Sequence, residues 1–322
     1  MSRPEILMPG RMLENVERAL DAHFTVHRLY LRDDRAAALS AIAPRIRGIA
    51  AGGAVDAALI DALPHLEIIA NFGVGYDNVD ARHAAAKGII VTNTPDVLTE
   101  EVADTALGLI LMTVREFSAA ERYLRAGRWP SGAYPLTKAT LRDRTVGIVG
   151  LGRIGKAIAR RLEAFGVTVV YHNRRPQDDV GYRYYSDLIE MARDVDTIVS
   201  VLPGGAATDK LIGRAVLDAL GPRGIIINIG RGTVVDEVEL IAALKERRIH
   251  AAGLDVFEKE PQVPADLMAL DNAVLLPHVG SASVYTRDAM GQRVVDNLLA
   301  WVAGKPPVSP VAETPFKGWQ PR

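Results

Sequence analysis

The chain of 322 residues contains no cysteine. This excludes disulfides, thiolate metal sites and a cysteine nucleophile, although it says little about redox environment. Charge of neither sign is in excess: a formal net charge of −1 gives no electrostatic reason to expect nucleic acid or an anionic membrane as partner. Long apolar runs are missing too. The longest, such as 224–229, are strand-sized, so no transmembrane helix is expected. Behind Met1-Ser2-Arg3-Pro4-Glu5 no apolar core follows before Pro9-Gly10, so no signal peptide is expected and the cytoplasm is the expected compartment. There is no tandem repeat, no low-complexity segment and no residue pattern that calls for a metal.

What remains is an ordinary globular composition, 48% hydrophobic and 24% charged, in a chain long enough for about two domains. Strand patterns at 6–8, 24–29, 46–50, 66–71 and 89–92 alternate with helix patterns at 11–22, 36–43, 56–63 and 79–87. Such alternation argues for βαβ units and a parallel sheet, so residues 1–98 are expected to form one α/β unit. Thr94-Pro95 breaks the pattern. Thr99, followed by Glu100 and Glu101, then opens a long helix expected to reach 126, with Val102, Ala106, Leu109, Ile110 and Thr113 on one face. Residues 127–135, rich in Gly and Pro, read as a loop whose Trp129 and Tyr134 either form a subunit arm or pack back on their own domain.

From Thr145 the alternation restarts, with strands at 145–149, 167–171, 197–201, 224–229, 251–255 and 273–276. Six strands with intervening helices match a doubly wound nucleotide-binding sheet. The last helix, 283–302, follows that sheet and is expected to return to the first domain. The expected domains are therefore a discontinuous substrate-binding domain, 1–98 with 283–322, and a dinucleotide-binding domain, 99–282. The tail from Gly304, with five prolines, reads as an irregular surface strap.

The first chemical signal is Gly150-Leu151-Gly152-Arg153-Ile154-Gly155, between the strand at 145–149 and a helix with Ile154, Ile158, Leu162 and Phe165 on one face. A strand that turns at one glycine, admits a ligand at the second and packs its helix at the third places a pyrophosphate on a helix N-terminus. Roughly 20 residues further on, a NAD site usually shows a carboxylate for the ribose hydroxyls. Here the second strand ends Tyr171-His172-Asn173-Arg174-Arg175-Pro176. Two guanidinium groups in place of a carboxylate favour the 2′-phosphate of NADP, with Arg174 the principal contact and Asn173 and Arg175 assisting. Further strand ends carry Leu202-Pro203, Asn228-Ile229-Gly230-Arg231-Gly232, Asp255-Val256-Phe257-Glu258-Lys259-Glu260-Pro261 and Pro277-His278-Val279-Gly280-Ser281. Arg231, between two glycines at such an edge, is placed to face a small anion, and His278 belongs at a sheet edge instead of a core.

Together with Gly73-Val74-Gly75-Tyr76-Asp77-Asn78-Val79-Asp80, these motifs occur in an order that resembles the D-isomer-specific 2-hydroxyacid dehydrogenases, over nearly the whole chain. Within that family the chain looks most like the NADPH-dependent glyoxylate and hydroxypyruvate reductases, because of Asn173-Arg174-Arg175 and the short C-terminus. The resemblance implies two Rossmann/flavodoxin-like doubly wound parallel-sheet domains with an active-site cleft between them, closing on hinges near 96–99 and 280–283. It implies reduction of a 2-keto acid to the D-2-hydroxy acid, with His278 as general acid, Glu260 paired to it, and Arg231 holding the carboxylate and polarising the carbonyl. Substrate contacts are expected from Ala51, Gly52, Val74, Gly75, Arg231, His278 and Ser281, with Gly53 and Tyr76 in the pocket wall. Coenzyme contacts are expected from Gly150, Leu151, Gly152, Arg153, Ile154, Gly155, Asn173, Arg174, Arg175, Leu202, Pro203, Thr208, Ile229, Gly230, Arg231, Asp255, His278 and Gly280. NADPH is the expected coenzyme, with NADH weaker, and the expected assembly is a homodimer through the dinucleotide-binding domain. Two alternatives stay open: a dinucleotide-sensing binding protein of the corepressor kind, and a reductase of a larger keto acid such as 2-ketogluconate. Phosphite and formate dehydrogenases share the scaffold but run on NAD.

Overall fold

Short strands, most of them buried on both faces, organise each half of the chain. The computed structural model describes residues 3–319, the side chain of Asp143 excepted; the last three residues of the expected strap lie outside it. Backbone contacts divide the chain into two compact units, one running up to Leu98 and resuming at Ser283, the other Thr99–Ala282.

In the first unit the elements are β1 (Glu5–Met8), α1 (Glu14–His23), β2 (Thr25–Arg28), α2 (Arg35–Ile42), β3 (Ile46–Ala51), α3 (Ala57–Asp61), β4 (Ile68–Asn71), α4 (Ala81–Ala86) and β5 (Ile90–Thr92). All pairings are parallel, in the order β2-β1-β3-β4-β5. Three helices begin the same way: Asp34, Asp56 and Asp80 accept the amides of Ala37, Leu59 and His83 at 2.9, 2.8 and 2.9 Å, satisfying donors that the first helical turn leaves over. The strap from Gly304 covers the outer edge of β5. Val311 N donates to Val91 O, and the Thr314 hydroxyl accepts from Val91 N, both at 2.9 Å, so the edge strand's polar groups are taken.

The second unit holds α5 (Thr99–Val114), α6 (Phe117–Arg125), β6 (Thr145–Val149), α7 (Arg153–Ala164), β7 (Thr168–His172), β8 (Arg183–Tyr185), α8 (Leu188–Asp194), β9 (Thr197–Ser200), α9 (Arg214–Leu220), β10 (Ile225–Asn228), α10 (Glu237–Lys245), β11 (Ala251–Leu254), α11 (Ala265–Met268) and β12 (Ala273–Leu275). Its parallel sheet runs β12-β11-β10-β9-β6-β7-β8. Seven strands replace the six expected, because β8 is only Arg-Tyr-Tyr, too short to show a period of two.

The single helix expected over 99–126 is also two. Val114 ends the buried face of α5, Glu116 takes a left-handed conformation (φ 55°), and α6 buries no residue. Neither Gly nor Pro marks the break. The Glu116 carboxylate instead accepts the Tyr134 hydroxyl at 3.0 Å, and Tyr134 meets Tyr123 edge-on at 5.4 Å, so the 127–135 loop is tied back onto α6. Tyr134 thus packs on its own segment while Trp129 stays 66% exposed.

The last helix, α12 (Val284–Val302), belongs to the first unit. Its Val294, Val295, Leu298 and Trp301 share a core with Val16 and Leu20 of α1. Gly291 allows that approach, since a Cβ there meets a methyl of Val16.

Candidate active site

In the second unit the strand order reverses between β6 and β9, and the loops leaving their carboxyl ends part at Gly150 and Val201. Ligands bind at such switch points. A cavity of about 890 Å³ lies there, walled by Gly150, Gly152, Asn173, Arg174, Arg175, Leu202 and Pro203 among others. The glycines of the turn differ in what they are for. A Cβ on Gly155 runs into the Gly150 carbonyl oxygen, so the third glycine serves helix packing, whereas a Cβ on Gly152 meets no protein atom within 4 Å. No packing contact requires a glycine at 152, whose open side faces the cavity.

Leu151 is held at both polar groups by the β7–β8 loop. Its N–H donates to Asn173 Oδ1 at 2.8 Å, and its carbonyl accepts from Gln177 Nε2 at 2.9 Å. Asn173 therefore first positions the turn, with its amide nitrogen left as a donor. The wall also contains Asp178 and Asp179, which the motif reading did not single out. Arg153 and Ile154 open α7 and are not among the residues lining the cavity. Thr208 closes its own loop, its hydroxyl donating to Pro203 O at 2.7 Å, so it braces Pro203.

Beyond β10 the Gly-Arg-Gly sequence has a steric cause. A Cβ on Gly230 lies 2.6 Å from Leu202 O, and one on Gly232 collides with the Phe257 backbone. Asn228 shapes this loop, donating from Nδ2 to Arg231 O at 2.9 Å and accepting from Gly230 N at 3.2 Å. Arg231 donates from a terminal guanidinium nitrogen to Gly230 O at 2.9 Å, and Ile229 is buried beneath it.

His278 follows β12 in a left-handed conformation (φ 53°), its N–H donating to Asp255 O at 2.9 Å. Its Nδ1 stands 2.6 Å from Glu260 Oε2; since a carboxylate only accepts, Nδ1 carries the proton and Nε2 is directed away from the pair. Glu260 Oε1 accepts from Phe257 N at 3.0 Å. Beside them Asp255, 1% exposed, accepts from Val279 N at 2.7 Å and Gly280 N at 2.8 Å. Burial pushes the Asp255 carboxyl up, against the pull of those two bonds. The Thr105 hydroxyl donates to Gly280 O at 3.2 Å, and Ser281 is buried next to Gly280. Sequence reasoning missed Glu237 at the start of α10, which accepts from Glu258 N at 3.3 Å and is pushed up by burial. Only its first-turn position signalled it.

The first unit brings Ala51, Gly52, Gly53, Val74 and Gly75 to the carboxyl ends of β3 and β4. Three asparagines clamp these loops. Asn71 donates to the carbonyls of Gly73 and Gly75 at 3.3 and 3.1 Å, Asn93 to Val74 O at 2.9 Å, and Asn78 to both Gly53 O at 2.9 Å and Asn71 Oδ1 at 3.2 Å. With the carbonyls of 73–75 turned to these amides, the N–H groups of Val74 and Gly75 enter no hydrogen bond among the described residues. Tyr76 turns its phenol to Glu313 at 2.8 Å, which together with burial pushes it up to about 12.

A family model described as D-isomer specific 2-hydroxyacid dehydrogenase, NAD binding domain, matches residues 107–280. Glyoxylate/hydroxypyruvate reductase A of Arabidopsis thaliana is 46% identical over 308 residues, 95% of this chain and 98% of that protein. The 2-ketogluconate reductase of Gluconobacter oxydans is 40% identical over 312 residues, 96% of this chain and 99% of that one. Among solved structures, the NADPH-dependent glyoxylate/hydroxypyruvate reductase of Sinorhizobium meliloti in complex with NADP and malonate superposes with a TM-score of 0.92, at 52% identity and covering 98% of each chain.

Proposed function

The chain belongs to the D-isomer-specific 2-hydroxyacid dehydrogenase family, and from that premise we propose that it reduces glyoxylate, hydroxypyruvate and related 2-keto acids to D-2-hydroxy acids with NADPH. The observation that carries the reading is the pair of His278 and Glu260 at 2.6 Å, a proton donor held by a carboxylate that is itself tied to the backbone. The cavity suits a dinucleotide: the open side of Gly152 takes the pyrophosphate, and Arg174 and Arg175 take the 2′-phosphate. NADPH supplies the hydride that C2 accepts. His278 gives the carbonyl oxygen its proton from Nε2, while Glu260 fixes the ring through Nδ1. Arg231 binds the carboxylate and draws charge onto the carbonyl oxygen as it develops. Within the first unit, the amides of Val74 and Gly75, which enter no hydrogen bond among the described residues, suit a carboxylate as well.

A homodimer is part of the reading, supported by the exposed apolar side chains of Phe117, Leu124, Trp129 and Leu136 in the segment after α5. So is a cytoplasmic location; among the described residues no helix is long and apolar enough to cross a membrane. One observation favours a second substrate: the relation to a 2-ketogluconate reductase over nearly the full chain.

The test is a turnover panel of glyoxylate, hydroxypyruvate, pyruvate and 2-ketogluconate with both coenzymes. The expected result is oxidation of NADPH ahead of NADH with at least one of them. No turnover with any of the four, in protein that still binds NADPH, points to a dinucleotide-sensing binding protein instead.

A further inference from the structure

The loop between β7 and β8 carries charge of both signs into the cavity wall. Arg174 and Arg175 stand there with Asp178 and Asp179, so the wall's own formal charges cancel. One more residue decides the balance. Lys156, in the first turn of α7 just after Gly155, places Nζ 2.8 and 2.6 Å from the two oxygens of Asp179. That contact holds the Asp179 carboxyl below the usual range, so it is ionised at neutral pH.

The loop does not depend on this pair for its shape. Asn173 and Gln177 grip Leu151, Gln177 N donates to the Tyr171 hydroxyl at 2.8 Å, and the Tyr184 hydroxyl donates to Asn173 O at 3.1 Å. Four bonds unrelated to Lys156 hold the backbone, so what the pair adds is charge. A 2′-phosphate carries roughly −1.5 to −2 charges, and NADH lacks it, so charge at this wall bears on one coenzyme only.

Resting on the NADPH reading, we propose that Lys156 and Asp179 form a charge pair that sets the coenzyme ratio: Lys156 neutralises a carboxylate that otherwise repels the 2′-phosphate. The chain thereby keeps an acidic residue in the wall, as an NAD site does, but with its effect cancelled from the neighbouring helix. Arg174 and Arg175 attract the phosphate; Lys156 removes the opposition to it. The lysine follows directly on the glycine turn, so one ion pair ties the helix behind that turn to the loop that carries Arg174 and Arg175.

The full-length protein with Lys156→Gln or Asp179→Asn tests this by calorimetry with adenosine 2′,5′-bisphosphate against AMP, and with NADPH against NADH. Lys156→Gln is expected to lower both affinity ratios about three- to tenfold, and Asp179→Asn to raise them by a similar factor. Added salt should shrink both effects. If the pair merely stapled the loop, both variants would lower the ratios together; that result, or ratios unmoved in both, overturns the proposal. A wild-type protein that prefers neither bisphosphate over AMP nor NADPH over NADH instead removes the coenzyme reading itself.

Discussion

Nδ1 of His278 and Oε2 of Glu260 lie 2.6 Å apart, and the second oxygen of Glu260 is fixed by the Phe257 amide at 3.0 Å. The imidazole is therefore oriented by a carboxylate with no freedom of its own to turn. His278→Ala should lower kcat by roughly 10²-fold or more while NADPH still binds, as titrated by fluorescence. Glu260→Gln, which preserves shape and removes charge, should cost about ten- to a hundredfold in kcat. Turnover unchanged in His278→Ala removes the histidine from the reaction.

Arg231 is a different kind of group. Its backbone is locked by glycines on either side that no other residue can replace without meeting Leu202 or Phe257. Arg231→Ala should reduce kcat/KM for a keto acid by about 10²-fold or more, since the charge-assisted contact proposed to the substrate carboxylate is lost along with the one to the carbonyl oxygen. An uncharged ketone of similar size is the control. Equal loss with both substrates contradicts carboxylate binding.

These side chains were legible in the sequence because each follows a strand at its carboxyl end, where apolar runs stop at Asn, Asp or Pro. The strand and helix alternation of both units was legible for the same reason. The asparagine clamp was not. Asn71 and Asn78 bond to each other within the segment that leaves β4, and Asn93 reaches that segment only through the pairing of β4 with β5. Nor was the end of α5, where Arg115, Glu116 and Phe117 have ordinary helix propensity. There tertiary contacts of Glu116 override it. Lys156 and Asp179 likewise read as solvated surface charges until the fold brings them into contact.

Stability should also respond to pH through His250, at the entry to β11. Burial, then the Arg144 guanidinium, push its ring below the ordinary histidine value of 6.5. The folded state thus prefers the neutral ring, while the unfolded chain takes up a proton once the pH drops below that value. The contribution is present above the unfolded value and is lost as pH falls through the folded one. Thermal melts should therefore show wild type losing more stability than His250→Gln between about pH 7.5 and pH 5. Parallel curves for the two proteins rule this histidine out as a source of acid sensitivity.

The glycine turn offers a test that separates folding from coenzyme binding within four residues. Gly155→Ala places a methyl against the Gly150 carbonyl oxygen, where backbone has to move, and should cost roughly 1–3 kcal/mol of stability by denaturant melts. Gly152 has φ −82° and ψ −160°, which an alanine can adopt, and nothing within 4 Å of its Cβ direction. Gly152 is also the N-cap of α7, where alanine is poorer than glycine by several tenths of a kcal/mol, but the stiffer unfolded chain returns roughly as much. Gly152→Ala should therefore melt within about 1 kcal/mol of wild type and yet bind NADPH and NADH at least tenfold more weakly, because the methyl stands where the pyrophosphate approaches the backbone. Both coenzymes share that pyrophosphate, so their affinities should fall together, unlike the opposed shifts expected at Lys156 and Asp179. A Gly152→Ala protein with intact coenzyme affinity means that the dinucleotide does not lie against this turn.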